Sequence, residues 1–277
     1  MSRLTYHIKI ISPLYFDGET EEKMYTKNDL LHDIEKSGLR PDDTVLIHSS
    51  MKAIGEVDGG ADTVLDAFSE YMSDGLLIFP AHTWKTITFE NNLYDYRTEP
   101  SCVGILSNMF MKRPGVIRSL HPTHSVATLG HDAEDYVSGE ENRSTPCSYE
   151  GCWGKLYDRD AKILFLGCGV ACNTYLHGVE ERCDIPDRLT PYEKPYRIVL
   201  RDGSIITRLH RRHHSEFAKD GDVSVHYSKI MPSFIENGCA HECRIGDADC
   251  TLADCVGMYE ITSEQLGKNP LMFNDFS

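Results

Sequence analysis

Three short apolar runs interrupt an otherwise mixed chain: TVLIH at 44–48, LLIFP at 76–80 and KILFL at 162–166. None of them alternates with polar residues, so each reads as a strand buried on both faces, as in a parallel sheet covered by helices. Between the first two, Ala61, Val64, Leu65, Phe68 and Met72 recur at helical spacing, which predicts a helix over 61–72 and completes a βαβ unit. Upstream, Thr26 and Asp29 hold the cap and third positions of a helix whose apolar face is Leu30, Leu31 and Ile34 and which ends at Gly38. Residues 1–25 read as a lead-in with an edge strand around 7–11.

Further along, Val103, Leu106 and Phe110 predict a helix over 103–111, and SVATL predicts a strand at 125–129. The polar stretch 85–101 reads as an irregular flap. RIVL and SIITRL flank RDG at 201–203, with Gly203 supplying a hairpin turn. Helices are expected over 222–235 and 251–267, followed by a short docking tail. With no repeat and no Pro-, Gly- or Ser-rich linker, 1–277 is read as a single domain with a helical subregion over 215–277.

Composition changes the picture in three places. No apolar run approaches the ~20 residues a bilayer demands, and the start of the chain lacks a signal peptide's apolar core, so a cytoplasmic protein without membrane contact is expected. Forty-three acidic against 28 basic residues give a net charge of −15, which disfavours nucleic acid and suits a cationic ligand. The ten cysteines form no CxxC pair. Cys239, His241, Cys243, Cys250 and Cys255 match no structural zinc spacing, so reduced thiols and no metal are expected.

Candidate chemistry concentrates where the strand at 162–166 turns abruptly into a helix. Gly167–Cys172 is a crossing of small residues, Asn173 is a good N-cap, and Thr174, His177, Glu180 and Glu181 then fall three and four apart on one face. A hydroxyl, an imidazole and a carboxylate share that stripe, at the kind of junction where open α/β sheets bind ligands. Such a stripe is equally compatible with a solvated surface helix. A second candidate is the loop carrying His48, Ser49, Ser50, Lys52, Gly59 and Gly60, which can present backbone amides to a phosphate but is no Walker loop.

The segment LGCGVACNTYLHGVE at 166–180 resembles the LGxxxxxNTxLHxxE signature of the aminoglycoside N3-acetyltransferase family. VLIHSSMKAIGEVDGGADTVLDAF from Val45, LLIFPAHTW from Leu76 and RSLHPTHSVATLG from Arg118 match in the same order, over roughly residues 27–210. The resemblance implies an α/β fold, a three-layer α/β/α sandwich around a mostly parallel central sheet, distinct from the GNAT acetyltransferases. It implies acetyl-CoA as co-substrate and a cationic amine as acceptor, most directly the 3-amino group of an aminoglycoside. Ser49, Ser50, Met51, Lys52 and Ala53 would line the pantetheine and pyrophosphate channel, with Gly59 and Gly60 allowing close approach. Arg118, Ser119 and Ser125 would contact acetyl-CoA as well.

His177 would be the general base, since a protonated amine cannot attack a thioester and an unperturbed imidazole, titrating at about 6.5, can take that proton at neutral pH. Thr174 would hold the thioester. The resemblance also implies an acid near Arg212, where this chain has Arg211, Arg212, His213 and His214, so Glu180 or Glu216 is expected to pair with the imidazole. His82, Trp84, Glu181, Asp184 and Asp187 are the candidate substrate contacts, and Trp153 and Tyr157 are expected to pack under the site. Other acceptors (a peptide amine or an aminophosphonate), a thiol-dependent reaction at Cys168 or Cys172, and a non-catalytic coenzyme A-binding module remain alternatives. A homodimer is the base-rate expectation.

Overall fold

The computed structural model describes residues 23–216, 218 and 222–274; the edge strand expected around 7–11 lies outside them. The chain runs α1 (Lys27–Lys36), β1 (Thr44–Ser49), α2 (Gly60–Tyr71), β2 (Leu76–Pro80), β3 (Leu93–Tyr94), α3 (Ile105–Phe110), β4 (Ile117–Arg118), β5 (Val126–Gly130) and α4 (Ala133–Val137). It continues through α5 (Cys152–Asp158), β6 (Lys162–Leu166), α6 (Thr174–Arg182), β7 (Lys194–Val199), β8 (Ile205–His210), α7 (Met231–Glu236), β9 (Ala240–Ile245), β10 (Ala248–Asp254) and α8 (Cys255–Lys268).

Seven strands form the central sheet in the order β4-β5-β2-β1-β6-β10-β9. Its middle is parallel, β1 pairing with both β2 and β6, while β5 and β10 extend it antiparallel on either side. The unbroken apolar runs are explained by two helical layers. Val45, Ile47, Leu77, Phe79, Leu164 and Leu166 pack with Leu30, Ile34, Val64 and Phe68 on one face. Leu46, Ile78, Ile163 and Phe165 pack with Trp153, Leu176, Met258 and Leu266 on the other. A strand's period of two therefore sends alternate residues into two cores, and both must be apolar. The expected three-layer sandwich is present.

The capping box of α1 forms as the sequence suggested, the Thr26 hydroxyl accepting from the Asp29 N–H and the Asp29 carboxylate from the Thr26 N–H. The hairpin around Gly203 is β7–β8, which pairs with β3 from the 85–101 stretch in a separate three-stranded sheet.

The carboxyl-terminal subregion differs from a purely helical one. Residues 240–254 form the hairpin β9–β10, and 251–254, expected to begin a helix, instead finish β10 by pairing with β6. Helix α8 starts only at Cys255, where the Asp254 side chain accepts from the Gly257 N–H at 2.7 Å. Gly246, at φ +59°, makes the tight turn, and a Cβ there would fall 2.5 Å from the Ile54 carbonyl oxygen. The helix expected over 222–235 is a 3-10 turn at Ser224–Ile230 followed by α7. Among the described residues no helix is long and apolar enough to cross a membrane.

Candidate active site

Because β1, β2 and β6 run parallel, their carboxyl ends open on one edge of the sheet. A cavity of about 370 Å³ lies there, walled by Ser49, His82, Thr174, His177, His213 and Asp222 among others. The crossing from β6 to α6 passes hard against the loop after β1. Gly167 has φ +65°, and a Cβ on it would sit 2.3 Å from the Ala53 Cβ, so only glycine fits. Asn173 then caps α6, its side chain accepting from the Tyr175 N–H at 3.2 Å.

His177 and Glu180 lie one turn apart on α6, Nδ1 to Oε2 being 3.7 Å. Tyr227 closes that gap. Its hydroxyl is 2.5 Å from Glu180 Oε2 and 2.7 Å from His177 Nδ1. A hydroxyl has one proton, and an ionised carboxylate can only accept. Tyr227 therefore donates to Glu180 and accepts from Nδ1–H of His177, so that in the neutral imidazole the lone pair lies on Nε2. Nε2 stands 4.0 Å from Asp222 Oδ1, on the cavity wall.

The charge on Glu180 is held in place from behind. Arg188 Nε donates to Oε1, and Arg188 Nη2 donates to Asn274 Oδ1 at 2.7 Å. Burial alone would raise the Glu180 pKa, but His177, Arg188 and Tyr227 outweigh it and keep the carboxyl below its usual range. Burial and the adjoining Glu180 carboxylate push the Tyr227 phenol well up, so it stays protonated.

A band of aromatic rings forms another part of the wall. His213 stacks on His177 with centroids 4.1 Å apart, His124 meets His213 edge-on, and His82 lies between His124 and Trp153. Burial holds His82, His124 and His213 well below the usual imidazole range, and His48 falls to about 3, so these rings are polar yet uncharged, while Arg212 is a cation on the same wall. Thr174 Oγ1 lies 3.1 Å from His82 Nε2. Beneath the cavity, Glu181 Oε1 lies 2.9 Å from His213 Nε2 and accepts from the Cys147 N–H. Burial raises Glu181 to about 7. The short His213–Glu181 contact would suit an ion pair, but burial disfavours both charges, and an uncharged imidazole donating to the carboxyl satisfies the same geometry.

Several residues singled out from the sequence are placed elsewhere. Arg118 does not reach the cavity: it is 5 % exposed and its guanidinium donates to Ser125 Oγ and to the carbonyls of Ala81, Tyr96 and Glu99. Ser125 in turn donates to the Ala81 carbonyl, and the buried Ser119 hydroxyl accepts from the Val126 N–H. Arg118 and Ser125 tie the 81–99 stretch to β4 and β5, Ser119 ties the end of β4 to β5, and each nitrogen of the Arg118 guanidinium is already engaged.

Glu216 is exposed, and its N–H bonds to the Asp187 carboxylate, which also takes the Ser215 hydroxyl. Asp184 is exposed. Among the described residues none of Glu181, Asp184, Asp187 and Glu216 lines the cavity; Asp222 is the carboxylate that does. His82 and Trp84 do line it. Trp153 packs under the cavity as expected, whereas Tyr157 lies against Tyr259 of α8.

The loop after β1 spans two cavities. Ser49 borders the first, while Met51, Lys52 and Gly60 border a second of about 640 Å³. Ser50 sits between them, its N–H donating to the Leu166 carbonyl, and Ala53 packs against Gly167. Gly59 and Gly60 both take positive φ where α2 begins.

Tyr227, Arg188, His213 and Asp222 are site residues that the sequence alone does not reveal. Arg188 and Tyr227 stand in no motif, and His213 and Asp222 sit in stretches whose pairing is tertiary. The i,i+3 spacing finds only the ends of the relay, His177 and Glu180.

Known proteins share this fold and about a quarter of its sequence. The aminoglycoside N(3)-acetyltransferase VII of Streptomyces paromomycinus is 29% identical over 230 residues, which covers 76% of this chain and 77% of that one. The crystal structure of aminoglycoside acetyltransferase AAC(3)-Xa is 26% identical and superposes with a TM-score of 0.76, covering 91% of this chain and 94% of that one. A structure described as AAC-IIIb binary with CoASH superposes with a TM-score of 0.77 at 20% identity, covering 89% and 97%. The family model for aminoglycoside 3-N-acetyltransferase matches residues 46–267, most of the chain and every element that walls the cavity. This chain is a member of the aminoglycoside 3-N-acetyltransferase family.

Proposed function

We propose that the protein is an acetyl-CoA-dependent N-acetyltransferase acting on the 3-amino group of an aminoglycoside, by direct transfer with His177 as general base. Family membership supports the reaction class, and the relative bound to CoASH supports the co-substrate. The observation that carries the mechanism is the Glu180–Tyr227–His177 relay, which favours the neutral tautomer with its lone pair on Nε2, in a ring that lines the cavity.

The steps follow from that arrangement. His177 Nε2 takes a proton from the bound ammonium, and the freed amine attacks the thioester carbonyl carbon. The imidazolium so formed is stabilised through Tyr227 by the buried Glu180 carboxylate. Thr174, accepting from His82 Nε2–H, turns its own proton toward the carbonyl oxygen as the tetrahedral intermediate forms. As the carbon–sulfur bond breaks, the departing thiolate takes the proton held by His177 and the acylated nitrogen gives its surplus proton to solvent, so a neutral amide and a coenzyme A thiol form and one proton is released overall. Ser49 at the first cavity and Met51, Lys52 and Gly60 at the second are the coenzyme contacts in this reading, with Ser50, Ala53 and Gly59 shaping the loop that carries them. Asp222 and the overall charge of −15 favour a polycationic acceptor.

A thiol-release assay with acetyl-CoA tests the assignment. Aminoglycosides bearing a 3-amino group should release coenzyme A, and matched compounds lacking that group should not. Equal release from both would refute the regiochemistry, and none from either would refute the acceptor class.

A further inference from the structure

The transfer chemistry leaves unused two thiols in the crossing between β6 and α6. Cys168 and Cys172 are free, both line the cavity that holds His177, and their sulfurs stand 3.2 Å apart. Cys172 is exposed and Cys168 half-buried behind it. Closing a disulfide needs the sulfurs to approach to about 2.05 Å. Gly169 lies between them, and a Cβ placed on it would meet nothing within 4 Å, so no side chain is packed over this crossing.

We propose that Cys168 and Cys172 form a redox-active dithiol that exchanges with small disulfides, coenzyme A disulfide above all. The preference for coenzyme A disulfide rests on the reading of this cavity as the seat of the coenzyme's thiol end; the dithiol chemistry does not. Cys172 gives its proton to water and its thiolate attacks one sulfur of the disulfide. That sulfur–sulfur bond breaks, and one coenzyme A leaves as a thiolate that takes up a proton. Cys168 then loses its proton and attacks the Cys172 sulfur, expelling the second coenzyme A. Two protein thiols are oxidised by two electrons in all, and one coenzyme A disulfide is reduced to two thiols. The order follows from exposure, and from the neighbouring Cys172 sulfur and burial, which both push the Cys168 thiol up and make it the poorer first nucleophile.

The full-length reduced protein is incubated without oxygen with coenzyme A disulfide or with oxidised glutathione, alkylated, and mapped by peptide mass spectrometry. A link between Cys168 and Cys172 should appear, with two thiols released per chain, and dithiothreitol should reverse it. Cys168→Ser should stop at one coenzyme A attached to Cys172. Coenzyme A disulfide should react about tenfold faster than oxidised glutathione. Full alkylation of both residues after treatment, or a link that maps instead to Cys243 and Cys250, overturns the proposal. Equal rates with the two disulfides, the link still at Cys168 and Cys172, overturn the coenzyme preference and leave the dithiol standing.

Discussion

The Tyr227 hydroxyl lies 2.7 Å from Nδ1 of His177, fifty residues away in sequence, and orients a ring that lines the cavity. This contact makes one tautomer of the imidazole the productive one, and it bridges the 3.7 Å between the base and the Glu180 carboxylate.

Replacing the bridge separates orientation from binding. Tyr227→Phe keeps the ring packing against Phe273 but removes both hydrogen bonds. We expect kcat to fall by about 10- to 100-fold with little change in KM for either substrate. Steady-state kinetics check this, and a change in KM alone would speak against an orienting role.

Glu180 and Arg188 are a buried pair, with side chains 0% and 3% exposed. Glu180→Gln leaves a guanidinium without its counter-ion and should cost about 3–5 kcal/mol of stability. The lowered pKa of Glu180 also sets a pH dependence. Its stabilisation is complete above its ordinary value of 4.5 and is lost as pH falls through the lower folded-state value. Thermal unfolding between pH 3 and 7 should therefore show wild type losing more stability than Glu180→Gln in acid.

Glu181 has the opposite sign. Burial raises it from 4.5 to about 7, so the folded state holds a proton that the unfolded chain gives up, and ionisation penalises folding as pH rises from 4.5 to about 7. Glu181→Gln keeps an acceptor for the Cys147 N–H and for His213. We expect it to melt higher than wild type at pH 8 relative to pH 4.5, and a constant difference across that range would contradict the assignment.

Arg118 and Lys52 sort the coenzyme contacts. Arg118→Ala strips donors from the carbonyls of Ala81, Tyr96 and Glu99 and should lower stability by about 2–4 kcal/mol. Lys52→Ala, at the second cavity, should raise KM for acetyl-CoA while leaving kcat and melting temperature nearly unchanged. Unfolding curves and kinetics of the two variants distinguish an anchor from a ligand contact.

The layers are more legible in the sequence than the site is. Continuous apolar runs at β1, β2 and β6 announce strands buried on both faces, and the Thr26–Asp29 and Asn173 caps announce two helix starts. The β9–β10 hairpin is hidden because 251–254 is too short to show a period and joins the next helix without a break. His177 and Glu180 are legible from local spacing on α6. Tyr227, Arg188 and His213 are not, since their partnership depends on how distant segments pack. Arg118 shows the reverse error: a guanidinium beside serines looks like a phosphate contact until its donors are seen to be taken by backbone carbonyls.

The most direct measurement is turnover of His177→Ala by coenzyme A release with an accepting aminoglycoside, beside calorimetric binding of coenzyme A to the same variant. A fall in kcat of about 100-fold or more with coenzyme binding preserved is the expected result. Wild-type turnover in the variant would show that His177 is not the base.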